Sequence, residues 1–255
     1  MKVVSIFNQK GGVGKTTTNI NLCSYLAMKG FRILTIDIDP QGNTTSGLGF
    51  DKKTIHESMY DVITTDEKLQ DVILKSQIID NFFIAPSTLE LAGAEVEIIN
   101  IKNRESILKN KIKEVENEYD YIFIDCPPSL GLLTINALCA SHSVLIPIQA
   151  EFYALEGVGQ LINTIHLVNK SLNKDIDVEG VVLTMFNNRT NLSNEVYNEV
   201  KKYFGEKIYK TSIPRNVRLA EAPSYGLPIL LYDEKCKGAE AYKNLAEEFL
   251  MRQKR

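Results

Sequence analysis

No run in these 255 residues is long and apolar enough to cross a bilayer. The N-terminus also lacks the charged and apolar regions of a secretory signal and runs directly into Val3-Val4-Ser5-Ile6-Phe7. These absences predict a cytoplasmic protein. Charge of one sign is missing too: 29 Lys and Arg stand against 32 Asp and Glu, a net −3. The whole chain therefore exerts no general pull on nucleic acid or an acidic membrane, and any such binding must come from a local patch, including one completed in an oligomer. Cysteine is sparse, with four residues and no CxxC pair. Cys23, Cys126, Cys139 and Cys236 read as free thiols in a reducing compartment. A metal cluster shared between two subunits would need only two of them per chain, but the Cys and His spacings match no ligand set. Repeats, low-complexity stretches and linkers are also missing.

What is present begins at Asn8-Gln9-Lys10-Gly11-Gly12-Val13-Gly14-Lys15-Thr16-Thr17-Thr18. It follows an apolar run and precedes the helical spacing of Ile20, Leu22, Cys23, Leu26 and Ala27. Strand, glycine-rich loop and helix form the context of a phosphate-binding loop. Successive N–H groups of Gly11, Gly12, Val13 and Gly14 can turn inward, with Thr16 and Thr17 opening a helix whose N-terminal dipole favours an anion. Lys15 would reach the β- and γ-phosphates and the Thr16 hydroxyl would ligate Mg²⁺.

Lys10 stands where the ordinary loop pattern accepts almost any residue. The form Lys-Gly-Gly-Val-Gly-Lys-Thr-Thr resembles the deviant Walker A loop of the ParA/MinD superfamily. The resemblance implies a P-loop ATPase using ATP and Mg²⁺, with Lys10 crossing a nucleotide-sandwich homodimer to the partner's phosphates.

Apolar, β-branched runs recur at Val3–Phe7, Ile33–Ile36, Phe82–Ala85, Tyr121–Ile124, Val144–Ile148, Val181–Met185 and Ile208–Ile213. Helical patterns lie between them, among them Arg104–Glu116, Glu151–Val168 and Leu192–Tyr203. This alternation predicts an α/β fold, a doubly wound, mostly parallel sheet with helices on both faces, and a single domain over 1–255. Ligands of such sheets sit beyond the carboxyl ends of the strands, and the suggestive motifs all fall there. The segment Asp51–Asn81 is polar, weakly periodic and without assignable chemistry.

Ile36-Asp37-Ile38-Asp39-Pro40-Gln41-Gly42-Asn43 ends a strand in two carboxylates that alternate in direction and so serve different tasks. Pro40 and Gly42 begin a loop able to respond to a γ-phosphate. By resemblance this is switch I, where Asp39 positions or activates the attacking water and Asp37 supports the Mg²⁺ shell. Tyr121-Ile122-Phe123-Ile124-Asp125-Cys126-Pro127-Pro128 ends a second strand in aspartate, and its Asp-x-Pro-Pro matches the family's Walker B. Asp125 is then a Mg²⁺ carboxylate. No glutamate base adjoins it, which implies slow intrinsic hydrolysis accelerated by a partner.

Two loops late in the chain complete the pattern, Met185-Phe186-Asn187-Asn188-Arg189 and Ile213-Pro214-Arg215-Asn216-Val217-Arg218. By resemblance, Asn187, Pro214 and Asn216 face the adenine. Arg189, Arg215 and Arg218 could bind phosphates without reading sequence, and the family uses residues matching Arg189 and Arg218 on DNA. The resemblance covers Lys2 to about Glu248 and is least diagnostic over Asp51–Ile99. It implies a ParA/Soj-type partition ATPase whose ATP dimer binds double-stranded DNA nonspecifically. Such a protein is nucleoid-associated and is released when a ParB-like centromere-binding protein stimulates hydrolysis. With the loop starting at Asn8, no N-terminal helix-turn-helix is expected. The alternative is a MinD-like membrane switch, which needs a basic amphipathic C-terminal helix. The tail Tyr242–Arg255 carries Leu245, Phe249, Leu250 and Met251, but Glu247 and Glu248 interrupt it, so it is expected to pack on the domain. The cysteine spacing disfavours a nitrogenase iron-protein type, and intact Lys15, Asp39 and Asp125 disfavour an interaction module without hydrolysis.

Overall fold

Six of the seven β-branched runs become strands because nearly every residue in them is buried, a pattern only an interior parallel sheet accommodates. The structure, a computed structural model, describes residues 1–151, 154–187 and 189–254, and of 154–156 the backbone alone. Phe152, Tyr153, Asn188 and Arg255, which fall within expected segments, lie outside the described residues. The strands are β1 (Lys2–Ile6), β2 (Ile33–Asp37), β3 (Leu74–Lys75), β4 (Phe82–Ala85), β5 (Tyr121–Asp125), β6 (Ser143–Gln149) and β7 (Asp177–Thr184). Their order is β3-β4-β2-β5-β1-β6-β7, parallel throughout except for the short antiparallel β3 at one edge.

The helices are α1 (Lys15–Met28), α2 (Asn43–Gly47), α3 (Met59–Thr64), α4 (Leu69–Val72), α5 (Leu91–Glu97), α6 (Ile107–Lys113), α7 (Leu132–Ala140), α8 (Ala154–Ser171), α9 (Asn191–Phe204), α10 (Val217–Glu221), α11 (Ile229–Tyr232) and α12 (Lys237–Gln253). Alternate strand residues feed two cores. Val3, Leu34 and Ile122 pack with α3 to α9, while Val4, Ile33 and Phe123 pack with α1, α11 and α12. The sheet is thus covered on both faces, as the alternation of strands and helices required. The unassigned Asp51–Asn81 stretch supplies α3 and α4, which bury Met59, Val62, Leu69 and Val72 in the first core.

One expected strand does not form. Ile208–Ile213 runs beside β7 but makes only isolated parallel bridges, Val181 to Ile208 and Phe186 to Pro214. The N–H groups of Lys210 and Thr211 go instead to the Glu248 carboxylate of α12, at 2.8 and 2.9 Å. A side chain takes the donors that a ladder would have used.

The tail becomes α12 and lies against α1. Tyr242, Leu245 and Phe249 are buried there, and Phe249 meets Tyr121 edge-on with ring centroids 5.4 Å apart. Each such buried side chain contributes about 1.5–3 kcal/mol. Arg252 is held too, donating to the Ile208 carbonyl at 2.7 Å and pairing with Glu248 at 2.8 Å. No helix among the described residues is long and apolar enough to cross a membrane.

Candidate nucleotide-binding site

The glycine-rich loop leaves the end of β1 and is pinned from several directions. Asn8 donates to the Pro147 carbonyl at 2.8 Å and accepts the Lys10 N–H at 3.0 Å. Thr184, closing β7, donates to the Val13 carbonyl at 2.8 Å. Gly12 and Gly14 have φ of 75° and 89°, left-handed values that a side chain rarely adopts. Gly14 then opens α1, directing the free N–H groups of that helix into the loop. Lys15 is 7 % exposed and its ammonium donates to the Lys10 carbonyl at 3.2 Å, across the loop. Burial lowers its pKa from the ordinary 10.5, against the pull of Asp125 and Asp39. Gly11 differs from its neighbours: it needs no positive φ, and a Cβ there would meet nothing within 4 Å.

The acidic motifs converge beside it. Asp37 and Asp125 are partners in register on β2 and β5, with Ile6 of β1 on the other side of Asp125. Asp125 Oδ2 accepts the hydroxyls of Thr16 and Thr44, each at 2.8 Å. Its Oδ1 is buried without a hydrogen-bond partner among the described residues. An orphaned carboxylate oxygen next to the Thr16 hydroxyl suits a hard, oxygen-seeking divalent cation, so these residues fit the Mg²⁺ that such a loop implies. Burial pushes the pKa of both carboxylates up, and Asp125 raises that of Asp37 further. Asp37 spends its own oxygens inside the protein, on Asp39 N, Thr45 N and the Thr45 hydroxyl. Asp39 is 8 % exposed and accepts the Gln41 N–H at 2.9 Å.

A cleft of about 380 Å³ adjoins the loop, lined by Gly14, Thr17, Thr184, Met185, Ile213, Pro214, Arg215, Asn216, Val217, Leu219, Ala220 and Tyr242. Its apolar walls next to phosphate-binding backbone suit a planar base. Pro214 and Asn216 are among its lining residues. The Asn216 side chain caps α10 by accepting the Arg218 N–H at 2.8 Å, so its carboxamide oxygen is already engaged. Asn187 is not among the lining residues. Its carboxamide accepts the Arg189 N–H at 3.1 Å in a local turn, the habit of asparagine in loops. Met185, which sequence reasoning missed, lines the cleft in its place with φ 50° and its sulfur against the Gln149 amide. The end of an apolar run carries no mark that would have identified it.

The Phe186–Pro214 bridge sets the loops bearing Arg189, Arg215 and Arg218 side by side. Arg189 is exposed and makes no ion pair among the described residues, whereas the other two are engaged. Arg218 pairs with Glu221 at 2.9 Å and Asp233 at 3.5 Å. Arg215 reaches Glu151 at 3.5 Å, and Lys10 approaches the same carboxylate at 3.9 Å.

Residues 1–178 match the profile of a family described as an AAA domain. The chain is 57 % identical over 247 residues to the sporulation initiation inhibitor protein Soj of Bacillus subtilis, covering 97 % of each. It is 49 % identical to the chromosome partitioning protein ParA of Myxococcus xanthus, covering 98 % of this chain and 88 % of that one. A crystal structure titled cobyrinic acid a,c-diamide synthase from Mycobacterium smegmatis, with an ATP analogue and magnesium bound, superposes with a TM-score of 0.87 at 33 % identity, over 100 % of this chain and 96 % of that one. With the deviant loop, the Asp37 and Asp125 strand ends and the adjoining cleft in place, the chain belongs to the ParA/Soj family of P-loop ATPases.

Proposed function

We propose that this chain is a DNA-partitioning ATPase that dimerises on ATP, binds double-stranded DNA without sequence preference, and leaves it after hydrolysis stimulated by a ParB-like partner. The carrying observation is Lys10 beside Gly11: a cation whose ion pair among the described residues is a long one to Glu151, and a backbone where an added Cβ would lie more than 4 Å from described atoms. An accessible cation beside such an open backbone supports the reading that a facing subunit's phosphates meet it.

In this reading the backbone of Gly11 to Gly14 and the head of α1 cradle the phosphates, with Lys15 on the β- and γ-oxygens. Thr16 and Asp125 hold Mg²⁺, with Asp37 supporting them indirectly by fixing the surrounding loop. Held there, Mg²⁺ would supply positive charge to offset the negative charge that develops on the phosphates. Asp39 orients water for attack on the γ-phosphorus, and the bond to the β-phosphate oxygen breaks to leave ADP and phosphate. The base lies in the cleft against Met185, Pro214 and the backbone at Asn216. Asn187 is left to shape its loop. Arg189, Arg215 and Arg218 meet DNA phosphates.

Size exclusion and DNA co-sedimentation, each with and without ATP, test the reading. ATP-dependent dimerisation and DNA retention are expected from the native chain, and loss of the dimer from Lys10→Ala. A monomer under every nucleotide condition would overturn it. A MinD-like reading is weakened by α12, whose Tyr242, Leu245 and Phe249 are buried in the domain and leave Met251 as its exposed apolar side chain among the described residues. ATP-dependent retention on anionic liposomes would revive that reading.

A further inference from the structure

The loop that carries Asp39 is closed through one buried carboxylate. Asp37 Oδ1 accepts the Asp39 N–H at 3.3 Å, while Oδ2 accepts the N–H of Thr45 at 2.8 Å and its hydroxyl at 2.7 Å. The start of the loop and the first turn of α2 therefore hang on the same side chain. The Thr45 hydroxyl oxygen also accepts the Ser87 N–H at 3.0 Å, and the Ser87 hydroxyl donates to the Asp39 carbonyl at 2.7 Å. The result is a ring of hydrogen bonds from Asp37 to Thr45, to Ser87, to Asp39 and back to Asp37.

Asp37, Thr45 and Ser87 are wholly buried, so no water substitutes for a lost member of the ring. The loop is also pressed onto the Ser87 segment, where a Cβ at Gly42 would lie 2.8 Å from the Ser87 carbonyl oxygen. Thr44, one residue earlier, serves a different carboxylate: its hydroxyl donates to Asp125 and accepts from Asn19. Adjacent threonines thus divide the site, one facing the cation side and the other the Asp39 side.

We propose that Thr45 is a positioning residue for ATP hydrolysis, its hydroxyl fixing the backbone from which Asp39 addresses the attacking water. The proposal rests on the reading of Asp39 given above. Thr45 acts through Asp37 and Ser87 and touches no reacting atom. A displacement of about 1 Å in such a group costs up to roughly a hundredfold in rate.

The test compares Thr45→Val, Thr45→Ala, Thr45→Ser and Asp39→Ala in the full chain. Steady-state hydrolysis, affinity for a fluorescent non-hydrolysable ATP analogue, and melting temperature are measured for each. Thr45→Val and Thr45→Ala are expected to lose about tenfold or more in kcat. Analogue affinity should stay within about threefold of wild type, because the phosphate-binding loop is untouched. Thr45→Ser keeps both hydrogen bonds of the hydroxyl and should recover turnover to within about twofold. A Thr45→Val or Thr45→Ala protein with wild-type kcat overturns the proposal. So does a loss of affinity that matches the loss of turnover, or a serine variant as slow as the valine one. An inert Asp39→Ala beside a fully active Thr45→Val removes the positioning role alone, whereas a fully active Asp39→Ala removes the reading of Asp39.

Discussion

Asp37 and Asp125 stand in register at the ends of neighbouring parallel strands, both completely buried. Two carboxylates so placed repel, and among the described residues nothing answers Asp125 Oδ1. Asp125→Asn should therefore weaken Mg²⁺-dependent nucleotide binding while leaving the fold intact or steadier, since a buried charge is removed. Titrating Mg²⁺ against a fluorescent nucleotide measures the first effect and thermal melting the second. Unchanged Mg²⁺ dependence would take Asp125 out of the cation site.

Lys15→Ala removes the buried ammonium at the loop. ATP binding should fall by about two orders of magnitude or more, as expected when a charge-assisted hydrogen bond to phosphate is removed. Isothermal titration reads it directly, and affinity within a few-fold of wild type would refute the loop assignment.

Lys10→Ala should still bind ATP as a monomer, and so should Gly11→Val, because a Cβ at position 11 would lie more than 4 Å from every described heavy atom beyond its chain neighbours. Both should fail to dimerise, one for want of a cation and the other because the open space is filled. Light scattering with a slowly hydrolysed analogue distinguishes monomer from dimer. An intact Gly11→Val dimer would show that no second subunit approaches that backbone.

The arginines are expected to differ in DNA binding. Arg189 has no ion pair among the described residues, while Arg218 is shared between Glu221 and Asp233. Arg189→Ala should lower the slope of log affinity against log salt by about 0.9 for each DNA phosphate left without its guanidinium. Glu221→Gln should raise DNA affinity by releasing Arg218. A fall in affinity in Glu221→Gln would mean that the pair orients Arg218 and does not compete with DNA for it.

Acid should loosen the molecule at Glu179. This carboxylate is 5 % exposed and accepts from Lys2, Ser143 and Gln253, each at 2.6 Å. Burial opposes ionisation, but these partners prevail and hold its pKa below the ordinary 4.5. A folded-state pKa below the unfolded one gives stability that is present above about pH 4.5 and lost as pH falls through the lower folded value. Glu179→Gln should cost about 1–3 kcal/mol at neutral pH and flatten that acid decline. Denaturant melts between pH 3 and 7 would reveal it, and an unchanged slope would exclude Glu179 as its source.

Much of the site was legible in sequence because its chemistry is local. Lys15, Thr16 and Asp125 are read from short motifs whose backbone context is itself a strand end or helix start. Pairings between distant segments were not legible. Ser87 and Thr45 lie 42 residues apart and meet only because β4 lies beside β2. Met185 reaches the cleft through a positive φ that no neighbouring residue announces. Ile208–Ile213 reads as a strand by composition, and the donors it would need are taken by Glu248, on a helix some forty residues later.

β1 leaves the ribosome long before its sheet partners β5 and β6, and the cleft beside its loop is walled in part by Tyr242 of α12. Tyr242 is also joined to α1 through Thr18 at 3.1 Å. A nascent chain therefore carries its phosphate loop from the outset without a finished pocket for the base. The wall that Tyr242 gives the cleft is complete only once α12 has emerged and folded back against α1.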